Sequence, residues 1–338
     1  MTLQQIAEAS GVSPALVSLA LRDKYGVSEE MRVKIVMKAL EMGFHGRARK
    51  SGNHKITLLI NNMELLGSPF FGHVIRGIVE AASQNRFLLN IVCWYSDLSE
   101  DDVVLSIYNS KSDGIIVVNK CPPGILERIK GLNAFIAFVD YQTVVGGDYY
   151  DEVKCENFKA FFEIGDYLLS KGHKDILFVG NKDYALSFLE RYEGFKTCME
   201  RRNAGGRARY AVSAPYYDRE VNEDYIVFNR EEFRRALAEG APTAVACAND
   251  TVAGFVYGEL ERAGLKIPAD VSVVSFDNTS LCEKLQPRLT CVAAPYVEIG
   301  RIAVDLLREK FQNPKTVKKT IMVSTRLVER ESVRAVAE

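Results

Sequence analysis

Hydrophobic and polar positions follow two different patterns along the chain, and the change falls near residue 55. Before that point, apolar residues recur at spacings of three and four, which is typical of amphipathic helices. From Ile56 onward, apolar runs such as ITLLI (56–60) and GIIVV (114–118) alternate with amphipathic stretches such as 70–85. Apolar runs without polar alternation, separated by helices, indicate a parallel sheet covered on both faces. The pattern predicts a small helical N-terminal domain followed by an α/β body.

Local signals near the N-terminus predict three short helices. Thr2 and Gln5 have the spacing of a capping box that starts the first helix. Ser13 followed by Pro14 is an N-cap with a residue whose fixed φ suits the first position of a second helix, and Ser28 caps a third. Three short helices of this kind are typical of a helix-turn-helix headpiece that reads DNA, although such units also serve as protein-binding modules.

The predicted second helix has one apolar face and one open face. Its apolar positions form a stripe suited to the core of the headpiece, namely Leu16, Val17, Ala20 and Leu21. We expect the opposite face to meet DNA, and its residues are Pro14, Ala15, Ser18, Leu19 and Arg22.

Charge is distributed unevenly between the predicted headpiece and the body. Residues 1–55 hold nine Lys and Arg against five acids, a net charge of +4, whereas the whole chain carries −1. A basic head on an acidic body fits phosphate binding confined to the head. The aperiodic stretch 46–55 is a linker, either a solvated tether or an arm that places Arg47 and Arg49 in a minor groove.

Composition and motifs exclude several classes of protein. The length of 338 residues suggests two to three domains, and the chain shows neither a long apolar run nor a signal-peptide pattern, so we expect it to be cytoplasmic with no membrane contact. Seven cysteines without C-x-x-C spacing and four scattered histidines indicate no metal site. Glycine-rich phosphate loops and nucleophile elbows are absent, so we expect no enzyme activity, no catalytic residues and no cofactor.

The order of headpiece, linker and two α/β series resembles the lac repressor family of bacterial transcription regulators. The most specific motifs are GVSPALVSLALR (11–22), SPFFGHVIRGIVEAA (68–82), RYEGF (191–195) and CANDTVAGFVYGELERAGLKIPADVSVVSFDN (247–278). The likeness covers nearly the whole chain. It implies an α/β fold with a three-helix helix-turn-helix headpiece and a two-lobed, periplasmic-binding-protein-like body with parallel sheets.

The resemblance also implies domain boundaries. The headpiece is expected over 1–45, the linker over 46–55 and the body over 56–338. Within the body, lobe 1 is expected at about 56–156 and 287–313, and lobe 2 at about 157–286 and 314–332. A ligand cleft is expected at the carboxyl ends of the strands, between the lobes.

By resemblance, Pro14, Ala15 and Leu19 read bases, while Ser13 and Ser18 touch phosphate. Because these three base-contacting side chains are apolar, we expect sequence recognition to depend mainly on contacts with thymine methyl groups. The linker departs from the family, since the usual Pro-Asn pair and the short helix with a wedging leucine are missing. We expect the wedge to be either missing or replaced by the cluster of Arg47, Arg49 and Lys50, with weaker operator bending and stronger salt dependence.

Family members bind their effector with an arginine, an asparagine and an aspartate, which correspond here to Arg191, Asn249 and Asp277. The guanidinium group of an arginine, the amide of an asparagine and a carboxylate can together form hydrogen bonds with several hydroxyls of one ring. This set of groups suits a sugar. Asp250 is expected to cap the helix that follows it. Glu156-Asn157 occupies the crossover where relatives often have Asp-Asn, so the resemblance also offers this pair as ligand contacts.

Aromatic side chains are the second group of candidates for the effector site. Phe70 and Phe71 either stack on the ligand or simply close lobe 1. Tyr216 or Tyr217 could supply the opposite face, within a segment (214–228) that departs furthest from the family.

The function implied is a homodimeric transcription regulator, most simply a repressor, that binds double-stranded operator DNA and is switched by a small molecule, expected to be a carbohydrate. The helix that starts at Phe70 is a candidate dimer surface. The alternatives are a cytoplasmic two-lobed ligand-binding protein, or an activator whose DNA binding is weakened by the atypical linker.

Overall fold

The computed structural model forms two compact units, each described here by itself. It describes residues 1–44, 54–61, 69–94, 98–119, 121–132, 134–140, 150–182, 185–202, 208–210, 230–240 and 242–336. The first unit contains the headpiece together with lobe 1 of the body, and the second unit is lobe 2.

The headpiece contains the three predicted helices, α1 (Leu3–Ser10), α2 (Pro14–Leu21) and α3 (Glu29–Glu41). The capping box of Thr2 and Gln5 is confirmed, and Gly11 ends α1 with a left-handed φ of 69°. The side chain of Ser13 accepts a hydrogen bond from the N–H of Leu16 at 3.2 Å, and Ser28 caps α3 in the same way. These three helix starts were therefore fixed by local sequence.

The headpiece core lies where the three helices meet. Its fully buried members include Val17 and Ala20 of α2, whereas Leu16, expected in the same stripe, is only half-buried. Arg32 of α3 is also buried and donates to the carbonyl oxygens of Ala20 (3.4 Å) and Lys24 (3.0 Å). A guanidinium at this position stabilises the C-terminus of α2, where the helix dipole is negative.

Lobe 1 has a six-stranded sheet whose order is β2-β1-β3-β4-β5-β11. The pairs from β2 through β5 are parallel, as predicted for the body. The strands are β1 (Lys55–Ile60), β2 (Leu88–Cys93), β3 (Gly114–Val118), β4 (Phe135–Val139), β5 (Asp151–Cys155) and β11 (Thr320–Val323). The helices are α4 (Pro69–Gln84), α5 (Glu100–Ser110), α6 (Pro123–Lys130) and α12 (Tyr296–Gln312).

Strand β5 was not predicted, because its sequence DEVKC lacks an apolar run. Asp151 is nevertheless buried, since its carboxylate lies 3.3 Å from Lys310 Nζ and accepts a hydrogen bond from the N–H of Lys319 at 2.9 Å. A buried charge is tolerated when it is paired and hydrogen-bonded in this way.

Lobe 2 has a second six-stranded sheet, in the order β12-β10-β9-β8-β6-β7. Its pairs are parallel except that β12 runs antiparallel to β10. The strands are β6 (Ile176–Val179), β7 (Ala208–Tyr210), β8 (Ala244–Cys247), β9 (Ser272–Asp277), β10 (Thr290–Ala293) and β12 (Arg326–Val328). The helices are α7 (Asn157–Ser170), α8 (Leu186–Arg201), α9 (Arg230–Gly240), α10 (Asp250–Arg262) and α11 (Leu281–Lys284).

The chain passes from one lobe to the other at places that differ from the predicted ones. Among the described residues the passages fall at 153/154, 296/297 and 321/322, so the expected lobe 1 segment 287–313 begins and ends too early. The reason is pairing: β10 adds to the lobe 2 sheet beside β9, and β11 adds to the lobe 1 sheet beside β5. Both strands are short and carry no periodicity that would assign them to a sheet.

In the part of the chain that the structure describes, no helix combines the length and the apolar character needed to cross a membrane.

Candidate functional site

The outward face of α2 is accessible, as the sequence predicted. Ser13, Pro14, Ala15, Leu19 and Arg22 are exposed, and only Ser18 of the expected DNA-facing residues is half-buried. Because α2 begins at Pro14, its free N–H groups and the positive end of its dipole lie beside Ser13. This helix end can therefore accept a phosphate, while Ala15 and Leu19 present methyl groups.

Three predicted site residues lie outside the described part of the chain. Arg47 and Arg49 belong to 45–53, and Tyr216, like its neighbour Tyr217, belongs to 211–229. Their roles stay predictions.

In lobe 2, Arg191 of α8 is a buried cation held in one orientation. Its Nε donates to Oδ1 of Asn157 at 2.9 Å, and its Nη1 donates to the carbonyl oxygen of Ala248 at 2.9 Å. Its Cζ lies 3.9 Å from the centre of the Phe276 ring, which adds a cation–π interaction. Among the described residues no acceptor bonds to Nη2, so this side of the guanidinium fork is available to a ligand.

Asp277, at the end of β9, is the nearest carboxylate to that guanidinium. Its Oδ1 lies 3.9 Å from Nη1 of Arg191 and accepts a hydrogen bond from the hydroxyl of Tyr296 at 2.5 Å. Burial, together with the Asp277 carboxylate, raises the pKa of Tyr296 well above its ordinary value, so the phenol stays a donor. The backbone of Asp277 has a φ of 117°, and such strain is found mostly at functional sites.

Asn249, not Asp250, caps helix α10, which corrects the prediction. The side-chain oxygen of Asn249 accepts a hydrogen bond from the N–H of Val252 at 3.0 Å. Asp250 is the first residue of the helix and turns inward, where it accepts hydrogen bonds from the hydroxyl of Ser275 and from the N–H of Thr279. The cap uses the amide oxygen of Asn249 and leaves its NH₂ group as a donor.

A second layer of polar side chains orients Arg191. Asn157 is buried at the start of α7, and its Nδ2 donates to Oε2 of Glu190 at 3.0 Å. Lys154 Nζ lies 2.5 Å from the other oxygen of Glu190. The sequence offered Asn157 a weak role as a ligand, whereas its observed contact is with Arg191. Glu190 and Tyr296 were missed altogether: Glu190 directly precedes the RYEGF motif, and Tyr296 lies in a stretch that resembles the family (289–307) but had no expected role in the site.

Lobe 1 has candidate ligand-binding groups of its own, an aromatic pair and polar strand ends. The rings of Phe70 and Phe71 meet edge to face with their centres 4.2 Å apart, and both side chains are half-buried. Asn61, Asn119 and Asp140 directly follow β1, β3 and β4, and the last two have positive φ angles of 70° and 46°. Polar groups at the carboxyl ends of parallel strands mark the usual ligand-binding edge of such a sheet. The sequence signal was an Asn or Asp immediately after each apolar run.

One cluster has metal-ligating residue types, namely Asp250, Cys282 and Cys291, whose side-chain ligand atoms lie within 4.8 Å of one another. Its surroundings do not suit a cation, because Nη1 of Arg330 donates to the Cys291 sulfur at 3.2 Å. The Cys291 thiol and burial hold the pKa of Cys282 well above its ordinary value, so its thiol stays protonated. The cluster is therefore a packed hydrogen-bonded core.

Two family profiles match the chain. Residues 2–46 match the profile of bacterial regulatory proteins of the lacI family, and residues 166–333 match the periplasmic binding protein-like domain. The chain is 26% identical to the HTH-type transcriptional repressor PurR of Proteus mirabilis, over 98% of this chain and 96% of the relative. It is 27% identical to the repressor CytR of Escherichia coli, over 99% and 96%.

Solved structures share the fold. A LacI family regulator from Enterococcus faecium with bound ribose has a TM-score of 0.68 at 23% identity and covers 84% of this chain and 100% of the other. The lac repressor dimer bound to operator has a TM-score of 0.70 at 19% identity, over 99% of each chain. The regulator CelR in complex with cellobiose has a TM-score of 0.72 at 20% identity, over 98% and 99%. The chain therefore carries the headpiece of the lacI family of bacterial regulatory proteins and a periplasmic-binding-protein-like body, and it aligns end to end with transcriptional repressors.

Proposed function

We propose that this protein is a sequence-specific transcription repressor whose affinity for operator DNA is switched by a small carbohydrate. The observation that carries the proposal is the buried, oriented guanidinium of Arg191 beside Asp277, in a chain whose recognition helix exposes its reading face. The relatives named as repressors support the DNA-binding part. Action on chromosomal DNA places the protein in the cytoplasm, and a regulator of this kind needs no catalytic activity.

In this proposal, the headpiece reads DNA mainly by apolar contact. Pro14, Ala15 and Leu19 contact base edges, with thymine methyl groups preferred. Ser13 and Ser18 bond to phosphate, and the positive end of α2 supports them. Arg22 and the linker residues Arg47 and Arg49 add electrostatic, sequence-independent affinity.

The effector site rests on three lobe 2 residues, Arg191, Asn249 and Asp277. The open Nη2 of Arg191 and the NH₂ of Asn249 donate hydrogen bonds, while the Asp277 carboxylate accepts them. Vicinal hydroxyls of a sugar both donate and accept, so this set suits a neutral polyol better than an anion, which Asp277 would repel. Tyr216 is the proposed stacking partner within lobe 2, and Phe70 and Phe71 stay candidate ligand contacts of lobe 1. The ribose- and cellobiose-bound neighbours support this ligand class.

The chain is proposed to act as a homodimer through the β2 edge of lobe 1. Leu88 and Ile91 of this edge strand are 52% and 44% exposed, and Val79 on α4 is 45% exposed. An edge strand with exposed apolar residues is suited to cover by another protein surface. A dimer supplies the two headpieces that a two-half-site operator requires.

A thermal-shift screen of the purified protein against neutral sugars, sugar phosphates and nucleosides tests the effector part. A ligand at 100 times its Kd adds about 2.7 kcal/mol of stability, which is readily measured. We expect the shift to come from a neutral sugar, to vanish in Arg191→Ala and Asp277→Ala, and to persist in Arg201→Ala, which alters an exposed arginine of the same helix. A shift from sugar phosphates alone, or one that persists in Arg191→Ala, would contradict the proposal.

A further inference from the structure

Helix α3 carries two separate apolar stripes. Ile35, Val36 and Ala39 form the first, and it is buried in the headpiece, where α3 packs against α1 and α2. At 3.6 residues per turn, Val33, Met37 and Leu40 form a second stripe, rotated by roughly 120° about the helix axis. A three-helix core needs only the first stripe, so the second requires another partner.

Lobe 1 of the same chain lies against α3 and is the surface available to cover the second stripe. Helix α3 packs against α5, and only 9% of Met37 and 8% of Leu40 remain exposed. At the end of α6, a β-carbon built on Gly131 would lie 3.9 Å from the carbonyl oxygen of Leu40. The contact therefore extends along α3 to its C-terminal turn.

The recognition helix itself is tied to the same surface. The hydroxyl of Tyr108 on α5 donates a hydrogen bond to the carbonyl oxygen of Leu21, the last residue of α2, at 3.2 Å. The final carbonyls of a helix have no partner within the helix, so Tyr108 satisfies one of them. Burial raises the pKa of Tyr108 to about 12, which keeps it a donor throughout the physiological range.

We propose that α5 and the end of α6 form a docking surface for the headpiece, and that α3 and Tyr108 hold the recognition helix in a fixed orientation on lobe 1. The docked headpiece keeps its reading face open, since Pro14, Ala15 and Leu19 are exposed in this arrangement. A movement of lobe 1 then reaches the recognition helix directly through this contact. This last consequence rests on the proposed function, whereas the docking itself does not.

Nuclear magnetic resonance of the ¹⁵N-labelled full chain, without DNA or effector, tests the docking. A docked headpiece tumbles with the whole protein and gives broad amide signals, whereas a released headpiece tumbles quickly and gives sharp ones. We expect a docked headpiece in the wild type. Leu40→Glu should release it, because the variant places a charge on the apolar contact.

A lobe 1 variant keeps the test valid if Leu40→Glu unfolds the headpiece. Gly131→Asp leaves the headpiece sequence intact and adds a carboxylate beside the carbonyl end of α3, which repels it. The backbone of Gly131 has a φ of −70°, so the backbone accepts a side chain, and Gly131→Ala is the matched control. Release in Gly131→Asp but not in Gly131→Ala supports docking. A wild-type headpiece that tumbles independently, or one that stays docked in both charged variants, overturns it.

Regulation gives a second readout with the same variants. If the proposed function holds, Gly131→Asp should reduce the effector-dependent change in operator affinity at least threefold relative to Gly131→Ala. Because tumbling is measured without DNA, a failure of docking is distinguishable from a failure of the proposed function.

Discussion

The guanidinium of Arg191 lies over the ring of Phe276, with its Cζ 3.9 Å from the ring centre. Phe276 is the residue before Asp277, so one strand end supplies both the surface that carries the cation and the carboxylate beside it. The arginine is thereby oriented before any ligand arrives, and less conformational entropy is lost on binding. This orientation of the guanidinium supports the proposed place of Arg191 at the centre of the effector site.

Replacing Arg191 by lysine should weaken effector binding by on the order of 100-fold, or about 2.7 kcal/mol. Lysine keeps the charge but lacks the planar fork, so it cannot bond to Asn157 and Ala248 and still present a donor to a ligand. Isothermal titration of the screened sugar measures the effect. Arg201→Lys, on the exposed end of α8, is the matched control. Equal affinities in the two variants would exclude Arg191 from the site.

Substitutions at Asn249 should separate its structural role from its binding role. Asn249→Ala removes the cap of α10 and should destabilise lobe 2 by about 1 kcal/mol. Asn249→Ser keeps a capping oxygen, so its stability should stay within about 0.5 kcal/mol of the wild type. Both variants lose the amide donor, and both should bind the effector at least tenfold more weakly.

Urea unfolding and sugar titration of both Asn249 variants measure the two effects. Ser99→Ala is the control, because it removes the cap of α5 in lobe 1 and should leave effector affinity unchanged. Full effector affinity in Asn249→Ser would mean that Asn249 is a helix cap only.

Local signals and distant contacts explain which features the sequence could predict. The starts of α1, α2 and α3 were predictable because each cap bonds to a residue three positions away. Asp250 was misassigned because Asn and Asp are equally good caps, and only its bonds to Ser275 and Thr279, on another segment, decide between them. Tyr296 could not be predicted as a site residue, because its hydrogen bond to Asp277 joins residues 19 positions apart and depends on the fold.

The positions at which the chain passes between the lobes also depend on contacts between distant residues, so the sequence did not predict them correctly. Strand β10 has four residues and belongs to lobe 2 because it pairs with β9 and β12. Such pairing is a long-range property that periodicity within the strand does not contain. Helix α3 is the opposite case, since its second apolar stripe is visible in the sequence and was not used.

His173 should make stability depend on pH. It is fully buried, with Nδ1 3.0 Å from the hydroxyl of Thr243 and Nε2 3.1 Å from the carbonyl oxygen of Arg334. Burial, together with the charge of Arg334, lowers its pKa below the ordinary value of 6.5. The unfolded chain therefore binds the proton first, and stability that is complete above about pH 6.5 is lost as the pH falls toward the lower folded pKa.

Urea midpoints between pH 5 and 8 measure this dependence. The wild type should lose at most about 1.4 kcal/mol per pH unit from this group, and His173→Gln should lose correspondingly less. His73→Gln changes an exposed histidine and should follow the wild type. A His173→Gln curve that parallels the wild type would show that this histidine does not titrate on unfolding.

The linker arginines should contribute to the salt dependence of operator binding. Each lost phosphate contact reduces the slope of log K against log salt by about 0.9, so Arg47→Ala with Arg49→Ala should reduce it by about 1.8. The slope is measured by fluorescence anisotropy of labelled operator between about 50 and 200 mM salt. Over this range the affinity is expected to change by about two orders of magnitude. Lys315→Ala with Arg326→Ala removes two exposed basic residues of the lobes and is the control. An unchanged slope in the linker variant would assign these arginines to a solvated tether.

The most direct test of the whole account is selection of DNA fragments by the full-length protein, followed by titration of the selected operator with and without the sugar found by thermal shift. The account predicts one two-fold symmetric site with thymine-rich half-sites, bound with an affinity that the sugar changes by about 5- to 150-fold. Leu19→Gln should alter the selected sequence, and Arg191→Lys should remove the sugar's effect. Selection of no common sequence, or an affinity that no sugar changes, would contradict it.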